Sequence, residues 1–319
     1  MKPYTLPARR DGRWDEDAVP DQSDRTVVIT GANTGIGFET ARVLAARGAR
    51  VVLACRNLDK AHAAEQRIVT ETGSQRVEVV QVDLSDLDSV RRAAADLNAR
   101  CNHIDILINN AAVLWPPFSV TGSDVELQFA TNYLGHFALT GLVLDKLIRA
   151  DQARVVCLGS GAHWWVRDLG LSDLSYHRGY RPMMAYGRSK AAVLLFMHEL
   201  NRRLRAAGSS AVATAAHPGG SKTELISDEQ IKPQHLVGRG GLRRAFQLTQ
   251  VQSAEMGALP ILRAATDPEV RRGEYYGPGV MGLLGHPRKA RSSPFTRDVQ
   301  LAKRLWTLSE ELTEVTYGI

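Results

Sequence analysis

The run Thr26–Thr30 is β-branched and without a polar face. It breaks into a turn carrying Gly31, Gly35 and Gly37, and helical periodicity follows at once. A strand with no polar alternation needs cover on both sheet faces, and a helix that follows directly supplies one of those covers. The same rhythm recurs. Short apolar runs lie at 51–54, 77–82, 104–108, 154–158 and 212–216, and helical patterns at 37–47, 58–71, 87–100, 121–149 and 184–207. Strand–helix alternation of this kind predicts an α/β chain with a doubly wound parallel sheet of about seven strands and helices on both faces. Ser85-x-x-Asp88 and Thr121-x-x-Asp124 read as capping boxes that open two of the helices.

Residues 1–24 are polar and interrupted by Pro3, Pro7 and Pro20, so they read as an N-terminal arm with no apolar leader segment. Residues 25–319 then form one domain, within the range of a single α/β unit. Two connections exceed the usual length, 163–182 and 220–250. In parallel sheets such loops sit at the carboxyl edge, so both are candidate walls of a substrate pocket. The segment from Asp298 to Leu312 is amphipathic and predicts a C-terminal helical extension.

No stretch approaches the roughly 20 apolar residues of a membrane span. Cys55, Cys101 and Cys157 are far apart and form no C-x-x-C pair, which fits a reducing, cytoplasmic setting. The histidines fall in no metal-ligand spacing, so no metal is expected. The net charge of +6 is mostly arginine, and no base-reading module accompanies it. It is read as a solvated surface rather than a nucleic-acid footprint.

The turn Thr30-Gly31-Ala32-Asn33-Thr34-Gly35-Ile36-Gly37 has the chemistry of a pyrophosphate site. Glycines let the backbone approach closely, and the amides and positive end of the next helix face the anion. The second apolar run ends Leu53-Ala54-Cys55-Arg56-Asn57. An NAD site places a carboxylate near this point for the ribose 2′-hydroxyl. Here Cys55 is uncharged and Arg56 is suited to pair with a 2′-phosphate, so NADP(H) is the expected cofactor. Asp59 is read as opening the helix that follows.

These residues, with others in order, resemble the short-chain dehydrogenase/reductase family. The further landmarks are Asp83-Leu84, Asn109-Asn110-Ala111, Asn132-x-x-Gly135-His136-Phe137, Gly159-Ser160, Tyr186-x-x-x-Lys190, and His217-Pro218-Gly219 with Thr223. The resemblance spans residues 25–225, and Leu53–Asn57 with Asn132–Phe137 most resembles the retinol-dehydrogenase-like branch. It implies a Rossmann fold. It also implies a cofactor site comprising Gly31, Asn33, Thr34, Gly35, Ile36, Gly37, Arg56, Asp83, Leu84, Asn110, Ala111, Tyr186, Lys190, Pro218, Gly219 and Thr223. Family members commonly pair through the helices around 121–149 and 184–207, which implies a homodimer or homotetramer unless the C-terminal tail covers one of those faces.

Tyr186 and Lys190 are four apart, so a helix puts them on one face. A free phenol has a pKa of ~10, and a neighbouring ammonium should lower it towards the working pH. By resemblance, Ser160 holds the substrate oxygen, Lys190 holds the nicotinamide ribose, and Asn132 holds a water relay to the lysine. The expectation is hydride transfer between the nicotinamide and a carbonyl or alcohol, with Tyr186 as acid/base. Trp115, Trp164 and Trp165 after strand ends point to a hydrophobic substrate, and His163 is a candidate contact. Two departures are notable: Gly159 where the family often has serine, and Ala112 where it often has glycine. A dinucleotide sensor without turnover and an epimerase on the same fold are the alternatives. The first usually loses the tyrosine or lysine, and both stand here.

Overall fold

The computed structural model describes residues 13–177, 179–220 and 252–319. The six apolar runs form β1 (Thr26–Thr30), β2 (Arg50–Cys55), β3 (Val77–Gln81), β4 (Ile106–Asn109), β5 (Arg154–Leu158) and β6 (Val212–Ala216). They are joined by β7 (Tyr275–Val280) and β8 (Leu284–Lys289) in one sheet of order β3-β2-β1-β4-β5-β6-β7-β8. β1 to β7 are parallel, and β8 returns antiparallel along β7. The fold is thus the expected doubly wound Rossmann type. The extra strand belongs to a hairpin whose Gly277, Pro278, Gly279, Gly282 and Gly285 disguise it as loop.

The helices are α1 (Gly35–Ala46), α2 (Leu58–Thr72), α3 (Leu87–Arg100), α4 (Leu127–Phe129), α5 (Gly135–Leu142), α6 (Leu144–Arg149), α7 (Pro182–Ala206), α8 (Ala254–Thr266) and α9 (Val299–Thr313). The sheet faces are buried under two apolar clusters. One joins β1 to α1, α2 and α8 through residues such as Ile29, Leu44, Ile68 and Leu262. The other joins the opposite face to α3, α5, α7 and α9 through Leu107, Leu97, Phe137, Phe196 and Trp306. β1 lies between β2 and β4, so the chain winds outward in both directions from the β1–β4 pair. The crevice at their carboxyl ends is the topological switch point, where ligands of such sheets bind.

Residues 13–24 pack on the domain. Trp14 is buried, and Glu16 pairs with Arg42 of α1 at 3.0 Å. The C-terminal helix forms where amphipathicity predicts it, with Asp298 as cap accepting from Gln300 and Leu301. Its Trp306 stacks on Phe196 of α7 at 5.8 Å and meets Phe137 of α5 edge-on at 5.1 Å. Tyr317 beyond it donates to the Phe137 carbonyl at 2.6 Å. The chain's own tail therefore covers both α5 and α7.

Neither capping box opens its helix as read. Asp86 rather than Ser85 caps α3. Asp124 sits at φ 55°, inside a turn closed by the Thr121–Val125 hydrogen bond, so the next helix begins later. Its cap is the fully buried Glu126, which accepts from the Phe129 amide at 3.0 Å.

Candidate functional site

β1 delivers its chain to the glycine turn at the switch point. A Cβ at Gly37 would lie 2.4 Å from the Gly31 carbonyl and 2.6 Å from the Asn110 amide, so only glycine lets α1 start this close to the β4 end. Gly35 adopts φ 56° and a Cβ there would meet nothing within 4 Å, which leaves its outer side open to a ligand. Thr34 precedes α1 without its side chain capping the helix, and no acidic residue stands in the first turn. The first amides of α1 therefore have no side-chain acceptor among the described residues, which fits a pyrophosphate.

The surrounding landmarks converge on this turn. Asn110 donates from its side chain to the Thr30 and Gly31 carbonyls at 2.8 and 3.3 Å. The amides of Asn110 and Ala111 both reach Thr30 Oγ1 at 2.9 Å. Ala112 takes no left-handed backbone, so its methyl in place of the family's glycine introduces no strain. Asp83 accepts from the Ser85 amide and hydroxyl at 2.9 and 2.6 Å, closing the turn after β3, and Leu84 beside it is buried. Cys55 is buried under the turn, and its thiol takes the amides of Ala32 and Asn33 while burial pushes it up to about 11. Arg56 beside it is exposed, with no ion pair among the described residues. Pro218 and Gly219 follow β6 on the same carboxyl edge, whereas Thr223 and nearly all of the 220–250 connection lie outside the described residues.

The other half of the site is built by α7, β5 and the segment before α5. Ser160 lies two residues beyond β5 and caps a short 3-10 turn, Gly161–Trp165, accepting from the Ala162 amide at 3.3 Å. A Cβ at Gly187 would lie 3.0 Å from Val166, so this glycine lets the turn seat directly on α7. Ser160 consequently stands beside Tyr186, near enough for its hydroxyl to pull the phenol's pKa down. Lys190 is 2% exposed and donates to the Leu158 carbonyl at 2.8 Å. Its ammonium lies 5.7 Å from the centre of the Tyr186 ring. Burial lowers Lys190 to about 7. It raises the Tyr186 phenol, and the neighbouring Ser160 hydroxyl only partly offsets that. This corrects the sequence expectation for Tyr186: burial raises the phenol, and the ammonium is turned to the Leu158 carbonyl instead.

Asn132 stands at the centre of a π-helical stretch, Ala130–Leu134, that the periodicity did not reveal. Such widened turns recur at functional sites. Its side chain accepts from the Val113 amide at 2.7 Å and donates to the Val113 carbonyl and Ser189 Oγ at 3.1 and 3.0 Å. Ser189 Oγ in turn donates to the Tyr186 carbonyl at 2.8 Å. The four candidates Asn132, Ser160, Tyr186 and Lys190 are thus brought to one place.

Tyr275 of β7 was missed. A Cβ at Gly159 would lie 3.0 Å from its hydroxyl, so the phenol occupies the room where the family often has a serine side chain. His163 is buried, donates from Nδ1 to the Ser160 carbonyl and packs edge-on against Tyr275 at 5.9 Å. Trp164 and Trp165 are about half exposed beside it. Trp115 adopts φ 52° at the other margin.

The sequence profile described as short chain dehydrogenase matches residues 25–233. The chain belongs to the short-chain dehydrogenase family. This short-chain dehydrogenase is 38% identical to mouse retinol dehydrogenase 13 over 291 residues, covering 90% of this chain and 83% of that one. It is 39% identical to mouse retinol dehydrogenase 12, covering 92% of this chain and 87% of the relative. The crystal structure of an uncharacterized protein from Mycobacterium paratuberculosis is 40% identical, covers 96% of this chain and all of its own, and superposes with a TM-score of 0.79. The dehydrogenase therefore lies in the retinol-dehydrogenase-like branch and is an oxidoreductase using a nicotinamide cofactor. Among the described residues no helix is long and apolar enough to cross a membrane.

Proposed function

We propose that this chain is an NADP(H)-dependent oxidoreductase acting between a carbonyl and the corresponding primary or secondary alcohol of a hydrophobic small molecule. The gathering of Ser160, Tyr186 and the buried Lys190 ammonium at the carboxyl edge of the sheet carries this reading. A bound nicotinamide would supply or accept the hydride. Ser160 and Tyr186 hold the substrate oxygen between two hydroxyls, where negative charge develops. Tyr186 gives up or takes the proton at Oη, and Lys190, with a proton held near neutrality, is the group behind it that replaces it. Asn132 keeps the Val113 backbone and the Tyr186 turn of α7 in fixed register.

NADP(H) in preference to NAD(H) is supported by the exposed Arg56 and by Cys55, whose thiol faces the turn amides where a carboxylate would hold a ribose. The half-exposed Trp164 and Trp165 support a hydrophobic substrate, and the names of the relatives support an alcohol. A cytoplasmic location belongs to the same proposal. Self-association as a dimer or tetramer needs a surface other than the α5 and α7 faces for as long as α9 covers them. Parallel titration with NADPH and NADH, followed by nicotinamide fluorescence, tests the cofactor. NADPH should bind more tightly, and Arg56→Ala should weaken it at least about tenfold while sparing NADH, as loss of a charge-assisted contact implies. Equal or tighter NADH binding by the wild type overturns the assignment.

A further inference from the structure

We infer that His136 is a positioning residue that ties the dinucleotide turn to the Asn132 segment through a single neutral imidazole. The inference rests on the functional reading above for what the two ends do. The ring is 4% exposed, with Nδ1 3.0 Å from the Asn132 carbonyl and Nε2 2.8 Å from Thr30 Oγ1. A carbonyl only accepts, so Nδ1 carries the hydrogen. Thr30 Oγ1 already accepts from the Asn110 and Ala111 amides, which uses both its lone pairs. Its own hydrogen is left to donate, and Nε2 at 2.8 Å is a closer acceptor than the Ile108 carbonyl at 3.4 Å. The donor inventory therefore selects the Nδ1–H tautomer. Burial and the nearby Lys190 charge lower the ring to about 4, so it stays neutral at working pH.

Each end of this ring reaches a different half of the site. Thr30 is the last residue of β1, and its hydroxyl sets the two amides that open the chain after β4. Asn132 holds Ser189, and Ser189 holds the Tyr186 carbonyl. A continuous hydrogen-bonded path thus runs from the residue before Gly31 to the turn carrying Tyr186, and His136 is its link. A phenylalanine would fill the same space and sever the path at both ends.

Two amide substitutions separate those ends. In His136→Gln the side-chain oxygen replaces Nε2 as acceptor for Thr30, and the donor to Asn132 is lost. In His136→Asn the side-chain NH2 replaces Nδ1, and the contact to Thr30 is lost. With the full chain, the Gln variant should keep its NADPH Kd within about threefold of wild type and lose about tenfold in kcat, the rate equivalent of one buried hydrogen bond. The Asn variant should do the reverse, weakening NADPH with kcat largely kept. Thr30→Val, which keeps the shape and removes the hydroxyl, should match the Asn variant in Kd. Equal changes of kcat and Kd in both His136 variants, tracking their loss of melting temperature, overturn the inference, as does no change in either. NADPH affinity is read without turnover. A wild type that binds NADPH but is as slow as Tyr186→Phe counts against the catalytic reading, and the Kd contrast between the two amides still decides this one.

Discussion

At the amino end of α1 no side chain among the described residues accepts from the first amides, whereas α2, α3, α8 and α9 are capped by Asn57, Asp86, Ser253 and Asp298. On the facing side of the crevice α7 also starts without a side-chain cap, but there the exceptional groups are side chains. Lys190 is a buried cation whose hydrogen-bond partner is a carbonyl, and Tyr186 is a phenol whose burial opposes ionisation. An uncapped helix end costs about 1 kcal/mol and a buried ammonium several. The dinucleotide half thus gives up little stability for its chemistry, and the catalytic half gives up much more.

The sharpest way to break this contrast is Tyr186→Phe. It removes one hydroxyl from the costly half and nothing from the other. Turnover should fall by roughly 10²–10⁴, the usual worth of a placed acid/base. NADPH affinity should stay within about threefold. Stopped-flow kinetics beside a fluorescence titration reads both, and a variant that retains most of the wild-type rate removes Tyr186 from the chemistry.

Lys190→Met reads the cost directly. The folded-state value of about 7 lies below the ordinary lysine value, so the unfolded chain binds the proton more tightly. Below pH ~7 both states are protonated and the folded state bears the full penalty; as pH rises towards ~10.4 the penalty fades, because both states become neutral. The Met variant should therefore be the more stable by a few kcal/mol at pH 6, with the gap closing by pH 10, while having no measurable turnover. Denaturant melts across that range check it, and a variant less stable than wild type at pH 6 would show that the ammonium is not an electrostatic burden.

The same contrast explains what could be read in advance. The dinucleotide half depends on local needs: a glycine at φ 56° and another where a Cβ would strike the Gly31 carbonyl leave their mark within eight residues of sequence. The strand–helix rhythm is local too, so the doubly wound sheet was legible. Tyr186 and Lys190 were legible because a helix brings positions four apart together. What escaped depends on distant contacts. The π-helical stretch around Asn132 adds no residue pattern of its own. β8 hides behind glycines and prolines, and the helix start at Glu126 was displaced by a turn that Asp124 closes. The Tyr186 value went the wrong way because spacing alone cannot say that Lys190 is turned to Leu158. Tyr275 lies over a hundred residues from Gly159, so what fills the room at 159 could not be read until β7 was placed beside it.

That last pair gives the smallest and most specific effect. Gly159→Ser restores the family's residue type, yet its Cβ would meet the Tyr275 hydroxyl at 3.0 Å and the ring at 3.2 Å. Neighbours at such distances must shift, and both the ring and the sheet edge beneath it are packed, so the substitution should cost about 1–3 kcal/mol. Tyr275→Phe removes a buried hydroxyl that has no partner among the described residues, and by itself it should be neutral or slightly stabilising. It also removes the atom closest to the new side chain. Combining the two should therefore recover about 1 kcal/mol relative to the sum of the single changes, a coupling expected for residues in contact. A double-mutant cycle of urea melts measures it. Additive changes would mean that Tyr275 is not what keeps position 159 a glycine, and that the serine is excluded by the backbone alone.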